Sequence, residues 1–289
     1  MNSHVNNPQL SVRGAISFYS YLRYLSNRSR KELSNYKRFI ELKKIMENQS
    51  LNTFFQPILK LDTGKTIGYE VLNRPAQSKL FPNTEKFYDF IGQSDQVFSF
   101  ECFCRNLSLR RFIDRLPVAA REDCPLIFLN IHPHVLLDAS YHSGETLQLL
   151  NELGIEPRQV VFELTEKSAV TDFSLFEKVL SNYRAQGFRI AIDDVGSGYN
   201  SLKTLIYLKP EFVKLDRSLI QNIDQNIEQQ QLVTLIIEYA KQSFTKVIAE
   251  GIETVNELKF IRENGVHYGQ GYVLGRPNEE VRAGSIPQN

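Results

Sequence analysis

The sequence predicts an α/β fold in which a closed, mainly parallel barrel of eight strands is wrapped by helices. From Thr53 onward, apolar runs of strand length alternate with stretches of helix length. Alternation of this kind builds a parallel sheet covered by helices, and eight strands suit closure into a barrel. A third observation qualifies the first two. Only Asp62-Thr63-Gly64-Lys65 separates the first two strand candidates, too short a link for a parallel crossover, so that pair is an antiparallel hairpin.

The predicted strands are Thr53 to Leu61, Thr66 to Arg74, Leu126 to Ile131, Val160 to Thr165, Arg189 to Val195, Phe212 to Asp216, Lys246 to Ile252 and Tyr268 to Leu274. Each is an apolar run bounded by turn-forming residues. Helices are expected at Asn83 to Ser94, Ser99 to Arg115, Gly144 to Leu153, Phe173 to Gln186, Asn200 to Leu208, Asn226 to Gln242 and Val255 to Asn264. The segment before residue 51 stands apart from this alternation. Tyr19, Tyr21, Leu22, Tyr24 and Leu25, then Phe39, Ile40, Leu42, Ile45 and Met46, suggest one or two helices with an apolar side. Residues 1–50 are therefore read as a short helical N-terminal segment and 51–289 as the barrel.

A chain of 289 residues, 42% apolar and 23% charged, has the composition of an ordinary globular protein with one large core or two small ones. No apolar run approaches the length of a membrane span, and Met1-Asn2-Ser3-His4 lacks the features of a signal peptide. The expectation is a cytoplasmic protein with no transmembrane segment. Cys102, Cys104 and Cys124 are odd in number and have no second Cys/His cluster at zinc spacing, so they read as reduced thiols. The net charge of +1 argues against stable binding of a nucleic-acid duplex. It conceals an asymmetry, because Arg13, Arg23, Arg28, Arg30, Lys31, Lys37, Arg38, Lys43 and Lys44 share their stretch with only Glu32 and Glu41. Packing on the main domain or on a partner subunit is the simplest use of that segment, with a membrane surface or nucleic acid as the alternative.

The candidate site lies where polar residues interrupt the strands. Glu70 follows Ile67-Gly68-Tyr69, Asn130 closes Leu126 to Leu129, and Glu163 follows Val160-Val161-Phe162. Asp193 and Asp194 close the fifth run, Lys214 sits within Phe212 to Asp216, and Glu250 follows Val247-Ile248-Ala249. Adjacent aspartates at a strand end can cap a helix or bind a cation. Isolated buried carboxylates are prohibitively costly, but the C-terminal ends of barrel strands meet at one mouth, where these groups share a pocket. Such a density of oxygen ligands calls for neutralising cations, and the absence of histidine points to Mg²⁺ or Mn²⁺ rather than zinc.

The runs Glu70-Val71-Leu72, Leu129-Asn130-Ile131, Glu163-Leu164-Thr165-Glu166, Ile192-Asp193-Asp194-Val195-Gly196, Val213-Lys214-Leu215-Asp216, Ala249-Glu250-Gly251-Ile252-Glu253 and Gly269-Gln270-Gly271-Tyr272 resemble, in order, the motifs of EAL-domain cyclic di-GMP phosphodiesterases. The resemblance covers the chain from about Thr53 to Pro277. It implies a TIM-like (β/α)8 barrel with an antiparallel first strand, and hydrolysis of cyclic di-GMP to linear pGpG with Mg²⁺ or Mn²⁺, two cations about 4 Å apart sharing the phosphate and the attacking water. By the same resemblance Glu70, Asn130, Glu163, Asp193, Asp194 and Glu250 hold the metals, and Lys214 holds or orients the water. Asp216 lies beside it and Gln270 closes the pocket. Gln56, Leu72 and Arg74 contact the dinucleotide, while Glu166 and Glu253 support the neighbouring loops. A lysine beside cations can have a lowered pKa, which makes Lys214 a candidate general base.

Departures from the family pattern are few. Val71 replaces the alanine of the name motif, Asn73 stands where an apolar residue is usual, and Val195 occupies a position where an aromatic is commoner. Since that aromatic helps set a loop used in metal binding and dimer contacts, valine is expected to anchor the loop less firmly. The family implies a homodimer and allows a regulatory protein partner. The alternative function is a non-catalytic cyclic di-GMP receptor acting through a partner, against which the full ligand set counts.

Overall fold

A computed structural model describes residues 18–94, 96–121, 124–131, 144–165, 173–198 and 201–287. The eight strands are β1 (Leu51–Lys60), β2 (Thr66–Pro75), β3 (Leu126–Asn130), β4 (Val160–Thr165), β5 (Arg189–Val195), β6 (Phe212–Leu215), β7 (Lys246–Ala249) and β8 (Tyr268–Gly269). They close into a barrel in sequence order. β1 runs antiparallel to both β2 and β8, and every other neighbouring pair is parallel. The short Asp62 to Lys65 link thus reverses one strand, as its length requires. The helices are α1 (Phe18–Glu47), α2 (Thr84–Gly92), α3 (Val97–Arg115), α4 (Glu145–Leu153), α5 (Phe173–Ala185), α6 (Ser201–Leu208), α7 (Arg217–Ile220), α8 (Ile227–Gln242) and α9 (Val255–Glu263). None is long and apolar enough to cross a membrane.

The strand period of two sorts the barrel interior into layers. Ile58, Phe128, Val161, Ala191, Phe212 and Ile248 form an apolar plug, with Tyr268 packed against it. Phe128 and Phe212 meet edge to face at 5.4 Å between ring centroids. Two residues further toward the mouth, the same faces carry Asn130, Glu163, Asp193, Lys214, Glu250 and Gln270. On β1, which points the other way, the residue two places earlier is Gln56, opposite Glu70 of β2. The dry plug beneath gives every polar side chain of this layer one direction to face. The opposite faces of the strands, such as Ile127, Phe162, Ile190, Val213 and Val247, build the larger core under the helices.

The N-terminal segment forms one helix rather than two. Leu42 and Ile45, in its last turns, are buried in the main core, and Arg38 stacks over Phe90 of α2 at 6.0 Å. Tyr21 to Tyr36 on the same helix are largely exposed. Packing on the barrel therefore begins within the segment that the sequence sets apart. Deletion of residues before Tyr36 should leave cooperative unfolding by circular dichroism, with little loss of melting temperature. Leu42→Ala should instead cost about 2–5 kcal/mol in a denaturant melt, because it opens a cavity beneath the helix.

Candidate active site

Lys214 stands at the centre of the polar layer, its side chain wholly buried. Its Nζ lies 2.6 Å from Glu250 Oε1, 2.7 Å from Glu163 Oε1, and 3.4 Å from both Glu70 Oε2 and Asp193 Oδ1. Four strands thus deliver a carboxylate to one ammonium, which cannot neutralise them all. Burial raises the pKa of Glu163 and Glu250 well above the ordinary carboxylate value and that of Asp193 above it, against the opposing pull of Lys214. For Lys214 itself burial favours the neutral amine. The surrounding Asp193, Glu163, Glu250 and Glu70 outweigh it and push the pKa well above the usual lysine value. The lysine is therefore an ammonium in this arrangement, and the lowered pKa expected beside cations does not hold for the carboxylate cluster alone.

Adjacent residues of a regular strand face opposite ways, so Asp193 and Asp194 can share the mouth only if β5 is broken there. It is. The register against β6 shifts between Ile192 and Val195, and Asp194 takes a left-handed backbone with φ 57°, which aspartate tolerates better than most residues. The Asp194 N–H donates to Asp193 Oδ1 at 2.9 Å, fixing the pair. Val195 then re-enters the sheet and is completely buried, opposite Leu215. Gly196 follows with φ 103°, and a Cβ there would come within 2.3 Å of the Leu219 side chain. A larger residue at 195 would have to displace buried neighbours, since the valine has no exposed surface.

The other side of the mouth is held by amides. Gln270 donates through Nε2 to Glu70 Oε2 at 2.5 Å and Gln56 Oε1 at 3.1 Å, while Asn130 donates to Glu70 Oε1 at 3.3 Å. Gln56 in turn donates to the Gly275 carbonyl at 3.2 Å. Gln270 reaches this position because Gly271 lets two backbones cross. A Cβ at Gly271 would lie 2.1 Å from the Ile252 carbonyl oxygen, and Ile252 N–H donates to the Gln270 carbonyl at 3.1 Å.

The donor set fits a hard divalent cation. Asp193, Asp194 and Glu250 each offer an oxygen, all within 4.8 Å of one another. Glu163 is buried with Oε1 2.7 Å from Lys214 Nζ, and its Oε2 has no hydrogen-bond partner among the described residues. Buried carboxylate oxygens left over in this way are what Mg²⁺ or Mn²⁺ would satisfy.

Beside Asn130 opens a groove of about 1010 Å³, walled by β2, α3 and the ends of β3 and β4. Leu72 and Arg74 line it, with the Arg74 guanidinium 5.2 Å above the Phe54 ring. Gln56, the third predicted substrate contact, is instead held in the barrel interior. Asp216, two residues past Lys214, has a second task. It caps α7, accepting from Ser218 N at 2.9 Å, and makes no ion pair with Lys214. Glu253 pairs with Arg217 at 3.0 Å, and Glu166 lies outside the described residues. A supporting residue missed in the sequence is Glu257. Buried at 2% exposure, it accepts from Asn222, Glu253 and Thr254 N–H groups, each at 2.9 Å, and so ties the loop after Glu250 to the one after β6. The Thr254-Val255-Asn256-Glu257 capping box was its signal.

The EAL domain family matches residues 41–277. The chain belongs to that family. It is 32% identical over 245 residues to the probable cyclic di-GMP phosphodiesterase PdeB of Escherichia coli strain K12, a match that covers 83% of this chain and 45% of PdeB. The chain thus spans less than half the length of that relative. Among solved structures, the EAL enzyme Bd1971 with cAMP and cyclic di-GMP bound superposes with a TM-score of 0.77 at 26% identity, covering 87% of this chain and 68% of that one. The calcium and cyclic di-GMP complex of Klebsiella pneumoniae BlrP1 gives 0.72 at 25% identity, over 83% of this chain and 58% of that one. The EAL barrel with its reversed first strand is therefore the fold of this protein.

Two expectations follow from the site. Carboxyl groups with raised folded-state pKa bind more protons folded than unfolded, so they lose stability as pH rises above the ordinary carboxylate range. In EDTA the melting temperature should climb as pH falls from 8 toward 5, and Glu163→Gln should flatten that slope. Val195→Phe should destabilise the protein by about 1–3 kcal/mol through overpacking, measured by urea unfolding.

Proposed function

We propose that this EAL domain hydrolyses one phosphodiester of cyclic di-GMP, giving linear pGpG, with Mg²⁺ or Mn²⁺ as cofactor. The observation that carries the reading is the convergence of Glu70, Glu163, Asp193 and Glu250 on Lys214 above a dry apolar plug, with Asn130 and Asp194 at the rim. Glu70, Asn130, Glu163, Asp193, Asp194 and Glu250 would hold the cations. When bound, these supply Lewis-acid polarisation of the phosphate and a lowered pKa for attacking water.

The residues of the chain supply the rest. The substrate is a dianion, and the groove beside Asn130 brings it past Arg74, whose guanidinium offsets part of that charge. Leu72 gives it an apolar wall. Lys214 would set positive charge beside the attacking water and so favour its deprotonated form. Gln270 and Asn130 fix the carboxylate of Glu70, and Gln56 in turn accepts from Gln270. Asp216 and Glu253 shape the neighbouring loops through Ser218 and Arg217, and Glu166 is assigned the corresponding task after β4. On this reading the protein works in the cytoplasm as a homodimer, open to control by a protein partner.

Incubation with cyclic di-GMP and Mg²⁺ or Mn²⁺, followed by chromatography of the nucleotides, should yield pGpG. Glu70→Ala and Asp193→Ala should reduce turnover by roughly 100-fold or more, and Lys214→Ala should lower kcat with little change in KM. Tight binding without turnover under either cation would make the domain a receptor instead.

A further inference from the structure

The projecting part of α1 carries a surface that the barrel does not use. At 100° per residue, Leu22, Leu25, Leu33 and Tyr36 fall within a sector about 80° wide. Their exposures are 45%, 38%, 54% and 62%. Leu42 and Ile45, which bury against the core, lie on nearly the opposite face of the same helix, as does Arg38 where it stacks on Phe90. The apolar stripe therefore points away from the barrel, and intramolecular packing does not account for it among the described residues.

Beside the stripe runs a ladder of cations. Arg23, Arg30, Lys37 and Lys44 recur at every seventh position, all of them exposed. The helix's ion pairs lie elsewhere, between Arg28 and Glu32 at 3.1 Å and between Lys43 and Glu47 at 3.6 Å. An apolar stripe between basic flanks has two requirements, a non-aqueous layer for the leucines and negative charge at its edge. Pairing with a second copy satisfies the first and opposes the second. Antiparallel helices would set the ladder against itself, and parallel helices would offer its four cations a flank with one acid, Glu32, already paired with Arg28. A nucleic-acid duplex offers the charge without the apolar layer.

We propose that α1 docks on the surface of an anionic lipid bilayer. The leucines sink to the acyl boundary and the arginines and lysines contact headgroup phosphates. Tyr21, 53% exposed, borders the stripe beside Leu25, where an amphipathic aromatic ring reaches the interface. Because the barrel occupies the opposite face of the helix, it stays on the aqueous side.

Sedimentation of the full chain with vesicles tests this. Vesicles of phosphatidylcholine containing phosphatidylglycerol should carry the protein down, those of phosphatidylcholine alone should not, and salt should reverse the binding. Arg30→Glu with Lys37→Glu should weaken association roughly tenfold or more. Leu25→Ser with Leu33→Ser should also release it, with the circular dichroism spectrum unchanged in both variants. Equal failure to sediment with both vesicle types would overturn the proposal. So would a dimer in light scattering that Leu33→Ser abolishes, since a second copy would then cover the stripe.

Discussion

One buried ammonium among four carboxylates is the constraint on which the rest of the barrel depends. Lys214 reaches the centre of the mouth from β6, and Glu70, Glu163, Asp193 and Glu250 reach it from four other strands. Taking these charges from water is tolerable only because each lies within ion-pair distance of an opposite charge, and because leftover oxygens can be met by protons or cations. Their proximity follows from barrel closure. An open sheet would spread the same five residues along an edge, where each would face water alone.

Local backbone departures then convert a ring of strands into a site. The register break in β5, with Asp194 in a left-handed conformation, turns two consecutive carboxylates to one side. The crossing of backbones at Gly271 brings Gln270 against Glu70. Glu257 ties together two loops at the mouth through three backbone donors. Each device sets a position that strand geometry alone would leave wrong. The apolar plug below contributes by exclusion, since it closes the barrel interior beneath the polar layer, while the groove lined by Leu72, Arg74 and Asn130 opens beside it.

The helix before the barrel obeys a different rule. Its last turns belong to the core through Leu42 and Ile45, while its projecting part has a basic flank and an apolar stripe turned the other way. The division at residue 50, drawn from the break in the strand–helix alternation, does not say which turn of the helix first meets the core, because an apolar stripe marks a face and not its partner.

The strands, the reversed first hairpin and the polar residue on each strand were determined by the sequence, because period-two burial and a four-residue link act through local geometry. The carboxylates of the candidate site were legible for the same reason, as charged groups standing within apolar runs. The tertiary structure decided which of those groups meet. Asp216, one residue past β6 and two past Lys214, has the right spacing for the mouth and caps α7, because the chain turns there. Gln56 reads from its strand as a polar group in need of a partner, and the return of the chain at Gly275 and Gln270 supplies two. That Val195 is completely buried, paired in register with Leu215, is likewise visible only in the closed barrel. In each case the deciding partner is remote in sequence, and the free space and donors it leaves exist only once the barrel has closed.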